Sequence, residues 1–408
     1  MISKAKAVGT MGLAQIIASA AAQYLPAVIA VQAADALGLP NVALFAGFSM
    51  ALVISALVGP FAGRLVDRIG GRPVLMLSNL FFAISLITLG FSQGLWTLIL
   101  AYTFMGLGLA TGLFEVAFAA LVRLFGKEAR GAITGLTLLA GFASFVGWTV
   151  SVWVDAQYGW RGVCWFWALV HLCIGLPLHA LMPTPALASS RKTDTRSDDS
   201  RQSGSTTTNA SAIIDINPRP RRKEIITGAL LSYVFAASAF VGMGLMMHLP
   251  RLLQEMGVAV ALAFTISSLV GPSQIVGRLI DYFYMRRWHP LIATRWAAVC
   301  HPIAAVLLMI FAAPMALVFV LLHGVGNGIL IIARGNLPLA IFGANGYGRR
   351  QGWLMMPAKF AQAAAPFLFG LALTEWGANI LWMTLAFGLS VLGALCLISS
   401  KALHENKS

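Results

Sequence analysis

Gly63-Arg64-Leu65-Val66-Asp67 returns later in the chain as Gly277-Arg278-Leu279-Ile280-Asp281. Each copy closes an apolar run and opens a basic loop, and each follows a Gly-Pro step, Gly59-Pro60 and Gly271-Pro272. The copies stand half of the 408-residue chain apart, so the sequence reads as two similar halves. A duplicated, strongly apolar chain points to two helix bundles with a working site where they meet.

Composition sets the solvent. Hydrophobic residues make up 59% of the chain and charged ones 10%, against about 25% charged in an ordinary soluble domain. With a mean hydropathy of +0.81, the chain is solvated mainly by lipid. The net charge of +14 invites a nucleic-acid reading. The basic residues lie between apolar runs, however, where lipid headgroups and the positive-inside rule account for them. Membrane lipids are therefore the expected surroundings, and no nucleic acid, cofactor or metal is expected. Cys164, Cys173, Cys300 and Cys396 fall in apolar runs without a CxxC pair, neither a disulfide framework nor a metal site. Lys4 and Lys6 precede an apolar run longer than the roughly 7–15 residues of a signal-peptide core, so a first membrane helix is expected there.

Twelve spans are predicted: 8–31, 43–65, 73–91, 95–122, 131–154, 162–182, 224–249, 259–281, 291–311, 315–341, 352–374 and 379–400. Residues 73–122 are almost continuously apolar, and one helix of that length would run about 75 Å through a hydrocarbon layer of about 30 Å. The run must fold back, at Ser92-Gln93-Gly94, and 291–341 must do so at Ala313-Pro314. Lys and Arg crowd the connections on one side (Arg64, Arg68, Arg72, Arg123, Lys127, Arg130, Arg286, Arg287, Arg349 and Arg350), while the other holds Arg161 and Arg251. The basic side is expected to be cytoplasmic, with both termini inside.

The expected organisation is a six-helix bundle over 1–182, a linker over 183–223 and a second six-helix bundle over 224–408. The linker holds eight Lys/Arg and four Asp among Ser, Thr and Pro, too polar to order itself. Arg219, Arg221, Arg222 and Lys223 are expected to rest on anionic headgroups.

The stretch Gly63-Arg-Leu-Val-Asp67-Arg68-Ile-Gly70-Gly71-Arg72 resembles the loop between helices two and three of the major facilitator superfamily, with Gly71 where a basic residue is usual. Tyr158-Gly159-Trp160-Arg161 is similar to that family's Gly-Trp-Arg between helices five and six. Met105-Gly106-Leu107-Gly108 resembles its fourth-helix signature, but Tyr102 replaces the signature's Arg, so that Arg's proton-relay role does not carry over. The resemblance implies an all-α integral membrane protein of twelve helices in two pseudo-symmetric six-helix bundles. It further implies that Asp67 docks near the start of helix eleven, around Gly352, and Asp281 near the start of helix five, around Gly131. Together these contacts would latch the cytoplasmic face in the outward-open state. The residues fit such a gate: Gly63 and Gly277 permit close helix approach, and a carboxylate suits a helix N-terminus. Arg68, Arg72 and Arg278 complete the gating motif; the alternative is that the basic residues only set topology.

Ionisable residues inside the spans carry the candidate substrate and proton pathway, since Arg costs about 2.5–3.5 kcal/mol at a helix centre and must face a cavity or partner. His323, Asn327 and Arg334 in helix ten fall within about 40° of one another, a polar stripe on one face that argues for a cavity; the alternative is that Arg334 snorkels to the cytoplasmic interface. Glu115 in helix four lies opposite Ala333 when Gly106-Leu-Gly108 is aligned with Gly324-Val-Gly326. Glu115 and Arg334 are thus expected to pair, either as an exchanging proton carrier or as a permanent structural ion pair. Lys359 and Gln362 in helix eleven either line the site or, for Lys359, snorkel to the interface. Gln15, Ser19 and Gln23 form a strip on helix one that spans about 80° of arc.

These residues predict a monomeric secondary transporter in the inner membrane. It would move a small anionic or zwitterionic organic solute by alternating access, coupled to a proton or another ion. Proton-driven efflux of drugs or toxic compounds, inorganic oxyanions included, is the alternative on the same fold. A membrane enzyme would need a catalytic motif, and no HExxH, GxSxG or Walker A sequence occurs. A sensor would usually carry an output domain.

Overall fold

A computed structural model of the chain describes residues 4–40, 42–182 and 222–398. Among them, nine continuous helical stretches are long and apolar enough to cross a bilayer. One of 86 residues folds into three crossings and one of 51 into two, which makes twelve.

The first half comprises α1 (Lys4–Leu37), α2 (Val42–Ile69), α3 (Gly71–Gly90), α4 (95–125), α5 (129–158) and α6 (160–180). The second comprises α7 (Arg222–Glu255), α8 (Val260–Phe283), α9 (Pro290–Phe311), α10 (Ala316–Phe342), α11 (Tyr347–Trp376) and α12 (Ile380–Leu397). Both expected fold-back points are turns. Ser92-Gln93-Gly94 separates α3 from α4, and Ala312, at φ 52°, leads into a 3₁₀ turn at Ala313–Met315 before α10. Gly159, at φ 65° and ψ 177°, breaks what would otherwise be one helix into α5 and α6, a conformation glycine adopts without a Cβ penalty.

Hydropathy locates apolar segments, and helices extend past them wherever polar residues still form helical turns. α11 begins at Tyr347, five residues before Gly352, and α5 at Ala129, before Gly131. Arg222 and Lys223, expected in the linker, form the first turn of α7; the rest of 183–223 lies outside the described residues.

Among the described residues, four apolar cores organise the protein. Two are built wholly from the second half. The other two belong chiefly to the first half, and the one containing Val66, Phe118 and Ile133 takes in Leu339 and Tyr347 of the second. The halves are thus packed together on the face bearing the α2–α3, α4–α5, α8–α9 and α10–α11 connections, called the basic face below. A Cβ on Gly63 would lie 2.0 Å from the Gly348 carbonyl oxygen, and one on Gly352 would lie 2.6 Å from the Pro60 Cα. α2 and α11 therefore meet backbone to backbone, as small residues allow in membrane bundles.

Candidate functional site between the two halves

Asp67 ends α2 at the basic face and reaches across the seam. Its Oδ1 accepts from the Gly348 N–H at 2.9 Å and its Oδ2 from the Arg349 N–H at 2.8 Å. First-turn N–H groups have no intrahelical partner and sit at the positive end of the helix dipole, so a carboxylate satisfies both needs. The contact falls at Gly348 because α11 starts earlier than its apolar run. Arg123 of α4 donates to the carbonyls of Val66, Asp67 and Arg68, capping α2. Sequence reasoning used Arg123 only to orient the chain. Arg68 and Arg72 lie beside this seam at the ends of α2 and α3.

The repeated motif makes a different contact. Arg278 donates to the Thr137 carbonyl of α5 at 2.7 Å. Asp281 faces Arg130 and Thr134 of the same helix, and Asn336 of α10 donates to Thr134 at 3.2 Å. A Cβ on Gly277 would lie 2.2 Å from the Val325 carbonyl oxygen, so that glycine serves packing of α8 on α10 within its own half. The two copies thus hold the same seam by unlike bonds.

Deeper along the seam lies an ion pair between the halves. Glu115 Oε2 is 3.5 Å from Lys359 Nζ, with the two side chains 19% and 7% exposed. This corrects the expected pairing of Glu115 with Arg334, which stands within electrostatic reach of Glu115 but makes no ion pair with it. The reason is helix register. With α11 starting at Tyr347, Lys359 sits about 18 Å into its helix, close to the roughly 15 Å of Glu115 from the basic-face end of α4. Starting α11 at Gly352 had left Lys359 too shallow. α4 is also discontinuous: Leu113 is extended (φ −89°, ψ −171°), and Glu115 lies in the first turn of the helix Phe114–Phe125. A narrow cavity lined by Ser55, Gly59, Glu115, Gly348, Gly352 and Lys359 connects this pair to the latch.

The stripe on α10 divides. His323 Nδ1 lies 3.0 Å from Nδ1 of His301 on α9, and its ring stacks on Phe319. With Asn327 these histidines line a separate cavity between α7, α9, α10 and α12. Arg334, about two turns further along, is the member that approaches Glu115. Sequence spacing put the three on one face, but that face is wide enough to meet two neighbours. Gln15 and Ser19 are buried at 2% and 3% exposure, with Gln15 Nε2 and Ser19 Oγ lacking a protein partner. Gln23 is half-buried in a π-turn, Ala20–Tyr24, that interrupts α1, a distortion frequent at functional sites. Gln362 is half-buried on α11 one turn beyond Lys359.

Two helical halves that meet around broken helices, a backbone latch and buried charges have the build of a membrane transporter. The chain belongs to the Major Facilitator Superfamily, whose family model matches residues 11–308. It is similar to a probable 4-methylmuconolactone transporter of Cupriavidus pinatubonensis, at 31% identity over 29% of this chain and 28% of that one. It is also similar to the multidrug resistance protein MdtH of Cronobacter sakazakii, at 32% identity over 36% of this chain and 37% of the relative. These matches cover only about a third of either relative's length. The fold matches the crystal structure of the human organic anion transporter MFSD10 with a TM-score of 0.70 at 16% identity, over 98% of this chain and 100% of that one.

Proposed function

We propose that the protein carries a small organic anion or zwitterion across the inner membrane by alternating access, coupled to protons through Glu115. One observation carries the reading: two cations, Lys359 and Arg334, face one carboxylate, Glu115, at membrane depth between the halves. With all three ionised the site is cationic, and buried charge demands a counter-ion. A substrate carboxylate supplies it by taking Lys359 or Arg334 from Glu115, which is then free to bind a proton. Asp67 on the α11 N-terminus and Arg278 on Thr137 keep the basic face shut, and opening this seam exposes the site to that side.

The two six-helix bundles, 1–182 and 224–408, are the moving units, the basic face is cytoplasmic, and the monomer suffices. The test is uptake into proteoliposomes, without nucleotide, across a panel of labelled organic anions under an imposed pH gradient. Gradient-dependent accumulation of one member supports the reading; flux of neutral or cationic drugs alone replaces it. Drug efflux is the second reading, favoured by the naming of MdtH as a multidrug resistance protein.

A further inference from the structure

The latch and the charged site share one helical turn. Pro338 lies inside α10 and has no N–H, so the carbonyl four residues earlier, that of Arg334, loses its helical donor. The missing bond comes from outside the helix: Gln351 Nε2 of α11 donates to the Arg334 carbonyl at 2.9 Å. Tyr347 Oη donates to the neighbouring Gly335 carbonyl at 2.8 Å. Arg350 Nη1 reaches the Phe342 and Gly343 carbonyls at 3.3 and 3.4 Å, where α10 ends. Residues 347, 350 and 351 fall on one face of α11 by helical spacing, and this face clasps α10. The N–H groups of Gly348 and Arg349, in the same turn, hold Asp67 of the other half. Gln351 is 1% exposed and its Oε1 has no partner. A buried amide left half satisfied is costly, so the contribution of Gln351 comes through its donor.

We infer that Gln351 is a positioning residue: by completing the α10 backbone bonding that Pro338 leaves open, it ties the placement of Arg334 to the latch between Asp67 and α11. When Asp67 releases the first turn of α11, the Arg334 carbonyl loses its donor and this turn of α10 loosens. The inference rests on the proposed roles of Asp67 and Arg334.

The experiment needs no substrate: hydrogen exchange by mass spectrometry on the full-length protein in lipid nanodiscs. Asp67→Asn is expected to speed exchange about two- to tenfold, the worth of one hydrogen bond, both at the start of α11 (347–352) and around Pro338 of α10 (334–342). In a Gln351→Met background the same change should loosen α11 and leave α10 as it was. Pro338→Ala returns an N–H to the Arg334 carbonyl, so adding it to Gln351→Met should restore slow exchange in α10. It should likewise restore folding if Gln351→Met alone misfolds. If Asp67→Asn loosens α11 without α10, or loosens α10 equally with Gln351 replaced, the inference is wrong while the latch stands. If Pro338→Ala rescues neither exchange nor folding, Gln351 serves something other than the carbonyl. Unchanged exchange at α11 in Asp67→Asn removes the latch itself and the inference with it.

Discussion

Glu115 on α4 and Lys359 on α11 face each other at 3.5 Å across the seam between the two halves. Among the described residues neither charge has an ion-pair partner in its own half, so the pair depends on the halves being in register. Arg334 offers Glu115 a second cation on another helix of the second half. Two cations within reach of one carboxylate are what the proposed exchange at Glu115 requires.

Asp67→Asn keeps the volume of the side chain and removes its charge. The attraction to the α11 N-terminus is worth about 0.3–1 kcal/mol when exposed and up to ~2 when partly buried. Transport should fall and thiol accessibility at the basic face rise, with membrane insertion unchanged. Unaltered accessibility on both faces would remove Asp67 from the gate.

Gly63→Ala tests the seam by bulk instead of charge. The added methyl meets a backbone oxygen 2.0 Å away, which no rotamer change relieves, and overpacking of this kind costs about 1–3 kcal/mol. The closed seam should be destabilised as in Asp67→Asn. Gly393→Ala on α12, with open space at its Cβ, is the control. Equal behaviour of the two alanines would show that backbone contact between α2 and α11 does not matter to transport.

Orientation is checked at Ser203. A cysteine there should resist an impermeant thiol reagent added to intact cells, while one at Gln93, on the face opposite the basic one, should react. The reverse pattern would invert the topology.

Arg334→Lys keeps the charge and loses the planar fork. Loss of one charge-assisted hydrogen bond, about 1.5–3 kcal/mol, should raise the apparent KM for an anionic substrate by roughly ten- to a hundredfold, with maximal rate less affected. No change in KM would place the substrate away from α10.

Much of this architecture is legible in the sequence. The Gly-Arg-Leu-x-Asp repeat marks the halves, and bilayer thickness forces the turns at Ser92-Gln93-Gly94 and Ala313-Pro314. The pairing of Glu115 was not legible. Hydropathy marks where lipid begins, but Tyr347-Gly-Arg-Arg-Gln is a polar helical turn, and missing it set Lys359 five residues too near the interface. The break at Leu113 carries no proline, and the parting of His323 from Arg334 depends on neighbours contributed by other helices. Gln351 was overlooked because its partner is a backbone carbonyl orphaned by Pro338 on another helix, a relation that side-chain patterns do not display.

The central claim is that Glu115 exchanges between cations and a proton as substrate moves. It is tested most directly by Glu115→Gln, which mimics the protonated acid, in proteoliposomes with an organic anion found to be a substrate of the unsubstituted protein. The account predicts that substrate–substrate exchange continues while accumulation driven by an imposed pH gradient is lost. Accumulation against the substrate gradient in Glu115→Gln, at the rate of the unsubstituted protein, would contradict it.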